Sequence, residues 1–325
     1  MKPDCAPAAT GGSRPVTVLG AGFIGRNFIA AALRQGWSIR VLDHNPCPPE
    51  LKDQLDWIQG DMGSRADVYA ALNGVSTVFH FVSSTVPGDE VDESHELQQN
   101  VFQTLQLLKL CVQEKVQRIV FASSSSVYGL QEQLPVSESA STDPISSYGI
   151  HKLAIEKYLR LYQYQHGLDC KIARLSNPYG PGQSIDGRQG FVAIAIGCIL
   201  RGEPIAVRGD GEIIRDFVYI DDVVDALLAL AVSDSREALF NIGSGMGYSL
   251  NEVIARLRAL CAIPVEASYA ESRFVDIPKS VLDVCRERYV LRKTSKISLE
   301  CGLAMTLAHH HLPLTPLGTR SLNEV

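Results

Sequence analysis

The chain has 325 residues, 46% of them hydrophobic and 20% charged. That length accommodates about two domains with a sizeable core, and the composition excludes extensive disorder, collagen-like repeats and coiled coil. A balance of 30 basic against 36 acidic side chains leaves a net charge of −6, so there is no basic footprint for nucleic acid or an anionic membrane, and any anionic ligand must be held locally.

The longest uninterrupted apolar run, Phe191 to Leu200, is closed by Arg201 and falls short of the ~20 residues that cross a bilayer. Residues 1–14 are rich in Pro, Ala, Gly and Thr without an apolar signal core, which predicts a frayed tail and a cytoplasmic protein. The eight cysteines form no C-x-x-C pair, so reduced, mostly buried thiols are expected and no metal site. His309, His310 and His311 read as part of a polar tail over 309–325.

From Val16 onward, β-branched runs alternate with helical patterns. Strands are predicted at 16–20, 38–43, 56–61, 76–81, 117–123 and 168–175, with helices near 23–35, 64–73, 93–115 and 146–166. Strand, crossover, strand at this spacing predicts a Rossmann-type α/β fold, a doubly wound parallel sheet with helices on both faces. Beyond Asn177 the stretch NPYGPGQSIDGRQG breaks the rhythm. The expected organisation is a dinucleotide-binding domain over 15–176 and a smaller C-terminal α/β substrate lobe over 177–308. Segments such as 221–232 are expected to cross back to the first domain.

Gly20-Ala21-Gly22-Phe23-Ile24-Gly25 follows a predicted strand and opens a helix, the context in which backbone amides approach a pyrophosphate. Asp43, ending the next strand, suits the adenosine ribose hydroxyls and would repel a 2′-phosphate, which favours NAD over NADP. Asp61 suits the adenine amino group or an ordinary surface turn. Tyr148 and Lys152 share one face of a helix, one turn apart. A phenol of pKa ~10 must lose about three units to act as a base near neutrality, and Lys152 with an oxidised nicotinamide would supply the stabilising positive charge. Upstream, Ser123 to Ser126 place hydroxyls at the carboxyl edge of the sheet, where open α/β folds bind ligands.

Together the GAGFIG loop, SSSSVYG, YGIHK, RLSNPYGPG and RDFVYIDDVVDA resemble the extended short-chain dehydrogenase/reductases, in particular the nucleotide-sugar epimerase/dehydratase branch related to UDP-glucose/galactose 4-epimerase, over roughly residues 16–308. The resemblance implies a catalytic triad of Ser124, Tyr148 and Lys152, with Ser125 as a neighbouring substrate contact. Tyr148 would take the proton from the sugar O4 while hydride leaves C4 for the nicotinamide. It further implies cofactor contacts at Phe23, Ile24, Asp61, Met62, Phe81, Val82, Asn100 and Ser176. Substrate contacts are implied at Asn177, Arg215, Arg273, Asp276 and Ser280, where guanidinium groups suit a diphosphate and the small Ser280 would admit an N-acetylated hexose. For Arg215 an ion pair with Asp216 or Asp221 is the alternative.

Two departures from the family pattern stand out. Leu19 occupies the place of the first loop glycine, or else the loop is one residue shorter, and Ser125-Ser126 replace the Asp-Glu pair of 4,6-dehydratases, which disfavours dehydration. The expected activity is NAD-dependent 4-epimerisation of a UDP- or dTDP-hexose. The alternatives are an NAD(P)H-dependent reductase of nucleotide 4-keto-6-deoxyhexoses and a catalytically idle NAD-binding sensor. An apolar stripe including Leu153, Leu161 and Tyr162, with the helix near 93–115, predicts a homodimer.

Overall fold

The computed structural model describes residues 15–83, 92–187, 189–271, 277–292 and 297–322. Its first half alternates β1 (Val16–Leu19), α1 (Phe23–Arg34), β2 (Ile39–Asp43), β3 (Asp56–Gln59), α2 (Arg65–Leu72) and β4 (Thr77–His80). A helix then runs through α3 (Glu93–Glu96), a π-helical segment (Leu97–Phe102) and α4 (Gln103–Gln113), followed by β5 (Arg118–Ser124), α5 (Ser147–His166) and β6 (Asp169–Leu175). The second half adds β7 (Asn177–Tyr179), α6 (Phe191–Arg201), β8 (Ile205–Arg208), β9 (Ile214–Tyr219), α7 (Ile220–Val232), β10 (Leu239–Ile242), β11 (Gly247–Ser249), α8 (Leu250–Leu260), β12 (Ala267–Ala270), β13 (Lys279–Ser280), α9 (Leu299–His309) and α10 (Pro316–Leu322).

Seven parallel strands form one sheet in the order β10-β6-β5-β4-β1-β2-β3. Successive side chains point to opposite faces of a strand, so Val18, Val41, Phe79 and Val120 enter one core with α1 and α7, whereas Leu19, Leu42, Val78 and Ile119 enter another with α2, α4 and α5. Burial on both faces explains the nearly continuous apolar runs. The chain reverses its order between β1 and β4, which opens a crevice at their carboxyl ends. Two segments from beyond Asn177, α7 and β10, complete this layer.

The remaining strands build small sheets beside that crevice: β7, β11 and β13 all pair with β9, and β12 pairs with β8. The stretch from His309 onward departs from the expected tail. His309 ends α9, and α10 packs on α8 and α9 with Gly318 and Ser321 buried. Thr315 N donates to the carbonyl of Leu260, satisfying an end group of α8.

Glu287, 3% exposed, sits in a π-helical segment that packs on α7 and β10. Burial, with the charges of Asp222 and Asp216, pushes its carboxyl from the ordinary 4.5 up to about 9. The folded protein therefore keeps a proton that the unfolded chain releases, and stability is lost as pH rises between those values, with a limiting slope of about 1.4 kcal/mol per pH unit. Urea unfolding of Glu287→Gln should show a stability that gains progressively on the wild type from pH 5 to 9. A difference independent of pH would contradict this.

Candidate active site

The glycine loop is short because β1 runs through Leu19, which is wholly buried in the sheet core. The turn is therefore built from Gly20, whose φ of +91° suits glycine. A Cβ on Gly25 would lie 2.0 Å from the Gly20 carbonyl oxygen, so this glycine lets α1 touch the loop. Gly22 caps α1 with no side-chain acceptor, and a Cβ there would meet nothing within 4 Å. The first-turn amides of α1, at Phe23 and Ile24, thus lie beside open space with positive dipole character. Asp43, 8% exposed, closes one side: its Oδ2 accepts from Ala21 N at 2.6 Å, and its Oδ1 accepts from Asn45 N at 2.8 Å.

The other cofactor candidates line the same edge. Phe81 and Val82 follow β4, with the Phe81 ring edge-on to Phe28 at 5.4 Å and Val82 against Gly20. Met62 is buried, while the neighbouring exposed Asp61 accepts from Gly63 N at 2.5 Å, the bond of a surface turn. Asn100 is presented by the π-helical segment and lines a cleft with Ser83, Tyr148, His151, Lys152 and Ile155. Ser176 follows β6, and its Oγ is buried with no hydrogen-bond partner. An uncapped helix start, an open glycine, an acid at the end of β2 and an orphaned hydroxyl all fit a bound dinucleotide.

Ser124 ends β5 and its Oγ accepts from Ser126 N at 3.2 Å while donating to Ser126 Oγ at 3.0 Å. Ser125 opens the short 3-10 turn that follows. Helix α5 starts where Ser146 Oγ accepts from Gly149 N, which puts Tyr148 in its first turn. A Cβ on Gly149 would come within 2.7 Å of the Ser126 carbonyl oxygen, so glycine lets this turn close on the serines. The half-buried Tyr148 stands close enough to Ser124 for that hydroxyl to favour its ionised form.

One turn further along α5, Lys152 is 6% exposed. Its Nζ donates to the Ala122 carbonyl at 2.9 Å and lies 4.8 Å from the Phe121 ring centre and 5.6 Å from that of Tyr148. Burial lowers the Lys152 pKa to about 8, opposed by the charge of Glu156. Burial also holds the Tyr148 phenol above its ordinary 10, outweighing the Ser124 hydroxyl. The expected lowering by Lys152 is thus absent in the protein by itself, because an ammonium that titrates near 8 is largely discharged before the phenol ionises.

Beyond β6, Asn177 Nδ2 donates to the Asp216 carbonyl at 3.2 Å, and Arg215 Nη1 donates to the carbonyls of Ile214 and Ile277. Asp216 accepts from Ser244, Gly245 and Leu282, so its carboxylate is occupied by groups other than Arg215. Half-buried Ser280 pairs in register with Arg215. Arg273 and Asp276 lie outside the described residues. Sequence reasoning missed the polar groups packed behind the triad, namely Glu96, His151, His80, Thr104 and Glu156. For Glu156 a signal was present, since it follows Lys152 by one helical turn.

Steric differences between the two loop glycines yield a prediction. Gly22→Ala should leave thermal stability of the cofactor-free protein unchanged yet weaken NAD binding at least about tenfold in calorimetric titration, since the methyl group fills the approach to the amides. Gly25→Ala should lower the melting temperature itself. Equal effects of both substitutions on stability would contradict the loop geometry.

A family model described as the NAD dependent epimerase/dehydratase family matches residues 16–243. The chain is 31% identical over 302 residues to UDP-glucose 4-epimerase of Mycolicibacterium smegmatis, covering 88% of this chain and 95% of that protein. Its fold matches the crystal structure of UDP-glucose 4-epimerase from Thermotoga maritima with UDP-glucose, at a TM-score of 0.86 and 30% identity, covering 91% of this chain and 98% of the other. The structure of MoeE5 in complex with UDP-glucuronic acid and NAD matches at a TM-score of 0.83 and 34% identity, covering 91% and 99%. The chain belongs to the NAD-dependent epimerase/dehydratase family.

Proposed function

We propose that the protein inverts C4 of a nucleotide-linked hexose through a transient 4-keto sugar, with NAD as a cofactor regenerated in each turnover. The observation that carries this reading is the convergence of Ser124, Tyr148 and Lys152 at the carboxyl edge of the sheet, beside the glycine loop. When bound, NAD supplies a two-electron acceptor that takes hydrogen with its electron pair from C4 and returns it. Tyr148 receives the O4 proton during oxidation and gives it back during reduction, so no proton or electron is gained overall. Ser124 holds O4 in line with the phenol by a hydrogen bond. Lys152 supplies positive charge next to the phenolate and, together with Asn100 and Ser176, holds the cofactor side of the cleft.

Phe23, Ile24, Asp61, Met62, Phe81 and Val82 are assigned to the cofactor. Asn177, Arg215, Arg273, Asp276, Ser125 and Ser280 are assigned to a UDP- or dTDP-hexose. The small side chain of Ser280 favours acceptance of an N-acetylated sugar. Free thiols at all described cysteines support a reducing, cytoplasmic setting.

A homodimer is the assembly we assign, through the helix containing Leu97 and Phe102 and through α5. Exposed Leu97, Phe102, Tyr158 and Leu161 support it, being 37–50% accessible on two helices that pack side by side. The expected stripe is corrected in detail: Leu153 packs against the cluster of Val127, Tyr128, Val136, Leu282 and Val284, and Tyr162 turns into the sheet core.

Four outcomes test the proposal. Nuclear magnetic resonance of products should show interconversion of C4 epimers with NAD in catalytic amount, and Tyr148→Phe should lower kcat at least about a thousandfold. Stoichiometric consumption of reduced cofactor without an epimer would overturn the epimerase reading. Because an ionised Tyr148 must stand beside a protonated Lys152, kcat/KM of the NAD-loaded protein should fall on the alkaline side, where Lys152, its pKa lowered by burial, loses its proton. Phe102→Asp with Leu161→Asp should halve the mass found by light scattering, whereas an unchanged mass would remove these helices as the interface.

A further inference from the structure

Behind the reacting pair lies a buried polar chain that takes no part in the proton and hydrogen transfers. Glu156, 1% exposed, stands one helical turn beyond Lys152 on α5. Its Oε1 accepts from Ser123 Oγ at 2.5 Å and from Arg174 Nε at 3.0 Å, and its Oε2 accepts from Arg174 Nη2 at 2.6 Å. Ser123 directly precedes Ser124 on β5. Arg174, on β6, places its guanidinium 4.5 Å over the ring of Tyr128, whose hydroxyl donates to Asn241 Oδ1 at 2.6 Å. Asn241 Nδ2 in turn donates to the carbonyls of Val136 and Asp283. One connected path thus runs from the lysine-bearing helix, through the serine-bearing strand, to β10.

A buried ion pair repays its desolvation only with good geometry and full hydrogen bonding, and well-packed apolar groups often stabilise a core as well. We propose that Glu156 is a positioning residue: its carboxylate ties Ser123, and hence the Ser124 hydroxyl, to the helix carrying Tyr148 and Lys152, and sets a negative charge one helical turn from the Lys152 ammonium. This rests on the assignment of Tyr148 and Lys152 as the reacting pair.

The groups around Lys152 explain why this charge matters. On α5 these are Tyr148, His151 and Glu156, and on α3 Glu96, whose Oε2 lies 3.7 Å from His151 Nδ1. On β4, His80 stays neutral because burial and the Lys152 charge lower its pKa to about 3. β5 offers the Ala122 carbonyl and the Phe121 ring, and β6 offers Arg174, engaged by Glu156. Burial drives the Lys152 pKa down, and Glu156 is the charge that opposes it. Removing that charge would leave burial acting unopposed against protonation.

The test compares pH profiles in NAD-loaded protein with the titration of the Lys152 side-chain resonance in cofactor-free, isotope-labelled protein, assigned by its loss in Lys152→Arg. In Glu156→Gln, the alkaline limb of kcat/KM and the Lys152 resonance should both move down by about one to two pH units, as expected for a charge one helical turn away at the effective dielectric of a protein interior. Glu156→Asp should restore the limb while kcat stays reduced. An unmoved limb and resonance in folded Glu156→Gln, or an equal activity loss at every pH, would overturn the proposal. Should Glu156→Gln fail to fold, Ser123→Ala decides: kcat about tenfold lower with KM unchanged supports the anchor, and wild-type kcat overturns it. Activity surviving in Tyr148→Phe would sink the assignment of the reacting pair itself, a separate failure.

Discussion

A primary ammonium is held almost out of water between an aromatic ring and a backbone carbonyl, directly beneath a phenol. Lys152 contributes one hydrogen bond to Ala122, a face contact with Phe121 and a place one helical turn from Tyr148. Charge removed from water is costly; a carboxylate one turn further on opposes that cost, and the histidine on the adjoining strand stays neutral beside the ammonium. The reactivity assigned to the site depends on this arrangement, because a phenol kept above its ordinary pKa by burial acts as a base only where positive charge is close at hand.

The surrounding fold serves to deliver that charge. Parallel strands end together at the crevice between β1 and β4, and each contributes one feature at its carboxyl end: the glycine loop after β1, Asp43 ending β2, Phe81 and Val82 after β4, Ser124 ending β5 and Ser176 after β6. Helix α5 reaches the same edge because Gly149 allows its first turn against the Ser126 carbonyl. Asn177, Arg215 and Ser280 lie on the strands of a separate small sheet joined through β9.

Most of this arrangement is legible in the amino-acid sequence through local chemistry. Apolar runs buried on both faces identify the parallel strands, and glycine, serine and tyrosine at strand and helix ends mark the site. What stays hidden depends on contacts distant in sequence. The return of β10 to the main sheet is fixed by pairing with β6 across more than sixty residues of chain. Helix α10 has no strong apolar stripe, and its place comes from capping α8 through Thr315. The direction of the Tyr148 pKa cannot be read from a spacing of four, because it is set by how much water the closed fold excludes. Leu153 and Tyr162 share a helix with Leu161 yet face inward, since α5 packs on the sheet and on the serine loop at once.

The most direct test of the central claim follows the hydrogen at C4. With deuterium placed at C4 of a nucleotide hexose that the NAD-loaded protein accepts, both epimers should retain the label at C4 and exchange none with water, since the hydrogen leaves and returns with its electron pair while only the O4 proton passes through Tyr148. Loss of the label to solvent, or its retention in one unaltered epimer during turnover, would contradict the account.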